Sequence, residues 1–121
     1  MIYLNESDIE PYLNAGKEIE QYLGEFLISD HRCFRYLVLG KEKSGYYGLL
    51  FEKFDDSNEG LDSIYDFSSV EPDELYGREL GAFETLDLLI EQINKAILLD
   101  PTKYLLSGHL NQIINNKPNK L

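Results

Sequence analysis

The sequence predicts an α+β fold: an antiparallel sheet of three or more strands packed against an N-terminal helix and a helix over residues 83–98. Three observations carry this. Phe34–Gly40 and Tyr46–Phe54 are rich in β-formers and flank the polar stretch Lys41–Gly45, a strand–loop–strand pattern. Phe83, Leu86, Leu89, Ile90, Ile93, Ala96 and Ile97 make one apolar helix face, opposed by Glu84, Asp87, Glu91 and Lys95. With 121 residues, 43% hydrophobic content, nine tyrosines and six phenylalanines, the chain is expected to form a single domain, 1–121, with its own core.

The elements follow in order. Ile9, Tyr12, Leu13, Gly16, Ile19, Leu23, Phe26 and Leu27 recur at helical steps, with Ser7 and Glu10 spaced as a capping box and Pro11 in the first turn. The helix either runs to Leu27 or ends at Gly24, in which case Glu25–Ser29 is a short strand. The two strands then meet across a five-residue loop, Lys41–Gly45. Neither alternates cleanly, as expected where both faces are covered at least in part. Leu61–Val70 reads as a third strand, with Ile64 and Asp66 opposite Tyr65 and Phe67. Pro72, Gly77 and Gly81 make Glu71–Gly81 a loop or a single helical turn. After the 83–98 helix, Asp100-Pro101 opens a short helix that Gly108 closes, and His109–Asn116 adds a last turn or two.

Charge is the most distinctive feature of the chain, whose net is −11. Between Glu52 and Glu74 lie nine carboxylates (Glu52, Asp55, Asp56, Glu59, Asp62, Asp66, Glu71, Asp73, Glu74) against one base, Lys53. A single-sign field of that size repels nucleic acid and anionic membrane and attracts basic partners. One cysteine excludes an intrachain disulfide framework and fits a reducing compartment. The N-terminal residues lack a basic, apolar leader, and no apolar run nears the roughly 20 residues that span a bilayer, so a cytoplasmic protein is expected.

Motifs that would carry chemistry are missing or fail their context. Asp55-Asp56-Ser57-Asn58-Glu59-Gly60 through Asp66 has EF-hand spacing, but Asp stands where a bidentate Glu is required and the flanks read as strands. His31 lies two residues from Cys33, yet the thiol enters an apolar strand, where a buried structural cysteine is the commoner case. His109 has no second ligand near it in sequence. Gly40, Gly45 and Gly48 do not have phosphate-loop spacing. Arg32, Arg35, Lys41 and Lys43 with Tyr36, Tyr46 and Tyr47 form a small basic, aromatic set, read as a salt-bridged strand face. No catalytic residue, metal ligand or cofactor is expected.

In size, acidity and element order the chain resembles small bacterial immunity proteins, of the kind encoded beside contact-dependent-inhibition and other polymorphic toxins. The resemblance rests on Phe34–Phe54, Ile64–Phe67 and Phe83–Tyr104, including the Phe-Glu-Thr-Leu lead of the long helix and Asp-Pro-Thr-Lys-Tyr after it. It implies a non-enzymatic protein that neutralises a basic toxin domain, such as a nuclease. The surface expected to bind that partner comprises Asp55, Asp56, Glu59, Asp62, Asp66, Glu71, Asp73 and Glu74, with Tyr65 and Tyr76 as aromatic anchors. The competing readings are a nucleic-acid mimic from a mobile element and a regulatory or scaffold module whose acidity serves solubility. Oligomeric state is left open.

Overall fold

A computed structural model describes residues 2–114. These form an α+β fold built on a five-stranded antiparallel sheet: β1 (Ile19–Ile28), β2 (His31–Glu42), β3 (Gly45–Phe54), β4 (Arg78–Phe83) and β5 (Leu105–Leu106). The sheet order is β4-β3-β2-β1-β5. The first four strands are a meander. The chain then crosses one face through α2 (Leu86–Asn94) to add β5 at the opposite edge. Two further helices, α1 (Ile9–Asn14) and α3 (Leu110–Ile114), complete the described residues' α-helical content.

Side chains alternate across the sheet, and both faces are covered. Ile19, Leu37, Leu39 and Tyr46 face α1 and α2, meeting Ile9, Leu13, Leu86, Leu89 and Ile93 in one core. Phe34, Tyr36 and Val38 face the other way and pack with Ile64, Phe67, Leu105, Leu110 and Ile114. Two-sided burial removes the period-two signal, which is why the strands carry little alternation in sequence.

The N-terminal helix is much shorter than predicted. Gly16, at φ +87°, takes the left-handed position after the last turn; its N–H bonds Leu13 O (3.0 Å) and the Lys17 N–H bonds Tyr12 O (3.0 Å). This pair of bonds closes α1 as a Schellman motif. Ile19, Leu23, Phe26 and Leu27 belong to β1, whose apolar residues happen to fall at helical spacing. Gly24 marks a register shift in the β1–β2 pairing rather than a helix end. Ser7 and Glu10 make no capping box: the helix begins after a 3₁₀ turn at Glu6–Asp8, without a side-chain cap.

The predicted third strand is also corrected. Ile64–Asp66 is a 3₁₀ turn, started by Ser63, whose Oγ accepts the Tyr65 N–H (3.3 Å). The turn lets Ile64 and Phe67 both enter the core, whereas a strand would send them to opposite faces. Strand-like pairing is confined to one bridge between Lys53 and Ser69. The fourth strand begins in the stretch expected to be irregular, Glu71–Gly81, after a 3₁₀ turn at Pro72–Glu74, and runs on to Phe83.

The β2–β3 loop has two residues, Lys43 and Ser44, because Lys41 and Glu42 pair with Tyr46 and Gly45. The 83–98 helix shrinks to α2. Phe83 ends β4, and Thr85 caps the helix by accepting the Leu88 N–H (3.2 Å). Asp100-Pro101 starts no helix: Asp100 Oδ1 accepts the Thr102 N–H (2.9 Å) in a turn, and the chain extends into β5. The predicted last turn at His109–Asn116 is present as α3; Asn115 and Asn116 lie outside the described residues.

Candidate partner-binding surface

The acidic segment 52–74 divides into carboxylates that hold the fold and carboxylates that face outward. Glu52 receives Arg35 (2.8 Å) and Arg78 (3.2 Å), and Glu74 receives Arg78 (2.9 Å), an ion-pair chain across β2, β3 and β4. Arg32 bonds Glu25 (2.7 Å) and lies 3.5 Å from Asp55. The arginines expected on a salt-bridged strand face are therefore consumed there. Asp55 accepts the Ser57 N–H (3.0 Å) and Asp56 the Ser68 N–H (2.6 Å), so both serve the loop backbone. Glu59, Asp66 and Asp73 are exposed on three successive 3₁₀ turns, and Asp62 and Glu71 are exposed in the segments between them. Their carboxylates make no ion pair or hydrogen bond among the described residues. Tyr76, 82% exposed, stands beside Leu75 in the turn that precedes β4.

Tyr65 is held differently from an open anchor. Its hydroxyl donates to Glu20 Oε1 (2.6 Å) and accepts the N–H groups of Gly108 (3.1 Å) and Leu110 (3.0 Å), the latter at the start of α3. Glu20 also accepts from Gly108 N–H (3.2 Å) and Ser107 Oγ (3.3 Å). Glu20 is buried, and its carboxyl pKa is raised by burial, against which these hydrogen bonds pull it down. Nothing in the sequence around Glu20 signals this; the glutamate falls on the presumed polar side of a helix that does not exist.

These residues form one wall of a cleft of about 380 Å³ on the sheet face opposite α2. Its floor is Tyr36, Val38, Leu49 and Phe51, with the Tyr36 and Phe51 rings stacked at 5.0 Å. Glu18 and Glu20 stand at its β1 side. A second cleft of about 370 Å³ adjoins it at Leu49, bounded by Tyr47, Tyr76, Glu42 and Glu79. Tyr47 lies over Gly40, where a Cβ would collide with its ring, and reaches across to donate to Glu18 (2.9 Å). Burial, then the Glu18 carboxylate, push the Tyr47 phenol up to about 12. No lysine or arginine lines either cleft among the described residues.

The nucleophile and metal candidates are arranged as structural groups. Cys33 is fully buried, its Sγ donates to His31 O (3.6 Å), and burial pushes the thiol pKa up, away from the thiolate. His109 Nδ1 lies 3.1 Å from Leu106 O. Among the described residues no cluster of His, Cys, Asp and Glu is placed to hold a metal ion, and the Asp55–Asp66 carboxylates do not converge. No helix among them is long and apolar enough to cross a membrane. No family model matches the chain, and neither a curated protein nor a solved structure matches it.

Proposed function

We propose that this protein is a non-catalytic, acidic inhibitor of the immunity type, which binds a basic bacterial toxin domain, such as a nuclease, in the cytoplasm and neutralises it. The observation that carries the reading is the outward set Glu59, Asp62, Asp66, Glu71 and Asp73, which make no ion pair among the described residues, only Asp66 lying in the field of Lys53, while neighbouring arginines are paired elsewhere. Charge of this kind accelerates encounter with a basic surface, and the exposed Tyr76 beside it supplies an aromatic contact that slows departure. The buried Cys33 thiol, held away from its thiolate, supports a binding role over a nucleophilic one.

The test is surface plasmon resonance against the basic domain encoded by the adjacent gene. Glu59, Asp62, Glu71 and Asp73 are reversed together to lysine. These four are chosen over Asp55 and Asp56 because they hold no backbone in place. The expected result is an on-rate reduced by about tenfold or more at low salt, with the salt dependence flattened. Unchanged kinetics in the four-fold variant would sink this reading.

A further inference from the structure

We propose that the cleft between Tyr65 and the β2–β3 face is an arginine pocket: it takes the side chain of one arginine from the basic partner. The inference rests on the reading of the protein as a binder of a basic domain and assigns that reading a specific anchor.

Two independent observations carry it. The first is the chemistry of the walls. The stacked Tyr36–Phe51 pair lies beside the carboxylates of Glu18 and Glu20; Lys53 Nζ approaches the Phe51 ring to 5.7 Å from its centroid, but no lysine or arginine lines the cleft itself among the described residues. Guanidinium is planar, stacks on aromatic faces and presents forked donors to carboxylates, so it uses both surfaces at once. A neutral apolar group would leave Glu18 and Glu20 facing it, and an anion would be repelled.

The second observation is Tyr36 itself. The residue is 3% exposed and lines the cleft, and its hydroxyl makes no hydrogen bond among the described residues. The hydroxyl is not sealed inside the protein: it opens on the cleft, where a bound donor can reach it. Its neighbours are accounted for: the Tyr65 hydroxyl spends its proton on Glu20, and the Tyr47 hydroxyl spends its own on Glu18. The Tyr36 oxygen, open to the cleft, is an acceptor beside a carboxylate, the combination that suits a guanidinium N–H. At about 380 Å³ the cleft is at the small end of ligand sites, in keeping with one side chain rather than a folded element.

The experiment is an amide-resolved NMR titration of the intact protein with N-acetyl-arginine methylamide, and separately with N-acetyl-citrulline methylamide, its uncharged near-isostere. The arginine probe should shift the Phe51 and Gly108 amides saturably, and about tenfold more tightly than citrulline, the factor expected of one charge-assisted hydrogen bond. Tyr36→Phe removes only an unpartnered hydroxyl and should keep the fold. Both it and Glu20→Gln should weaken the arginine probe several-fold while their spectra stay dispersed. Equal response to the two probes, shifts confined to Asp55–Glu74, or unchanged affinity in both variants would overturn the pocket. Because no partner is present, such a failure leaves the inhibitor reading standing, whereas the four-fold charge reversal tests that reading without touching the cleft.

Discussion

Tyr65 and Glu20, 45 residues apart, share a hydrogen bond of 2.6 Å that joins the 3₁₀ turn at Ile64–Asp66 to β1 and to the start of α3. One phenol thus positions three chain segments, at the cost of burying a carboxylate. The geometry also tolerates an amide. Gln Oε1 could accept from Tyr65 and Gly108 as Glu20 Oε1 does, and its Nε2 could donate to Ser107 Oγ.

Glu20→Gln is therefore expected to stabilise the fold at neutral pH. The folded-state pKa of Glu20 is raised above its ordinary 4.5, chiefly by burial. The native state then holds the proton longer than the unfolded chain, so the contribution of Glu20 to stability falls as pH rises from 4.5 through the folded value, and stays unfavourable above it. A gain of about 1 kcal/mol in the variant would raise the melting temperature by roughly 3–6 °C at pH 7. The gap from wild type should close as the pH falls toward 4.5. A variant less stable than wild type at pH 7 would show that the ionised carboxylate is a net stabiliser. A protein stabilised by Glu20→Gln yet weaker toward arginine would separate the binding role of Glu20 from its place in the fold.

Gln21 clamps the backbone of Asp100 from the other side of β1. Its Nε2 donates to Asp100 O and its Oε1 accepts the Asp100 N–H, both at 2.8 Å. The side chain is 2% exposed, so Gln21→Ala empties a buried site and leaves both backbone groups to find new partners. A loss of about 2 kcal/mol is expected in urea unfolding, with the slope unchanged. Gln21→Glu should cost at least as much at neutral pH, since it sets a charged acceptor against the Asp100 carbonyl. Wild-type stability in both variants would mean the clamp is redundant.

The β1–β2 turn stores removable strain. Ser29 and Asp30 sit at φ +47° and +72° between the paired residues Ile28 and His31. Two consecutive left-handed residues define a type I′ turn, for which Asn-Gly is the favoured pair. Ser29→Asn with Asp30→Gly should stabilise the protein by about 1 kcal/mol without changing its spectra. A neutral or destabilising double substitution would mean that contacts of Asp30 or Ser29 offset the backbone cost.

Much of the fold was legible where one segment's own chemistry decides its structure. The β2 and β3 runs and the amphipathic α2 announce themselves through residues close in sequence, whereas Asp100-Pro101 has the residues of a helix start and forms a turn. Gly16 was a readable stop for the first helix, followed by a charged pair, Lys17-Glu18; the accidental helical spacing of Ile19, Leu23, Phe26 and Leu27 masked it. A strand covered on both faces loses alternation, and spacing by itself cannot then tell it from a helix. Ile64–Phe67 failed for a related reason: Ile64 and Phe67 are both buried, and their separation fits a turn of 3₁₀ helix as well as it misfits a strand.

The candidate surface shows the same division. Composition and order along the chain determined that the protein is acidic, that its acidity centres on residues 52–74, and that an α+β domain would display it. Which carboxylates are outward and which are spent could not follow from them, because Glu52, Asp55 and Asp56 meet partners supplied by other strands and loops. Only the tertiary structure brought Glu18 and Glu20 from the entry to β1, Tyr36 from β2, Phe51 from β3, Tyr65 from a distant turn and Gly108 from the loop before α3 around one cleft. Hydrogen bonding and desolvation act over a few ångströms in space, whatever the separation in sequence, so a site assembled from five segments leaves no local mark in any of them.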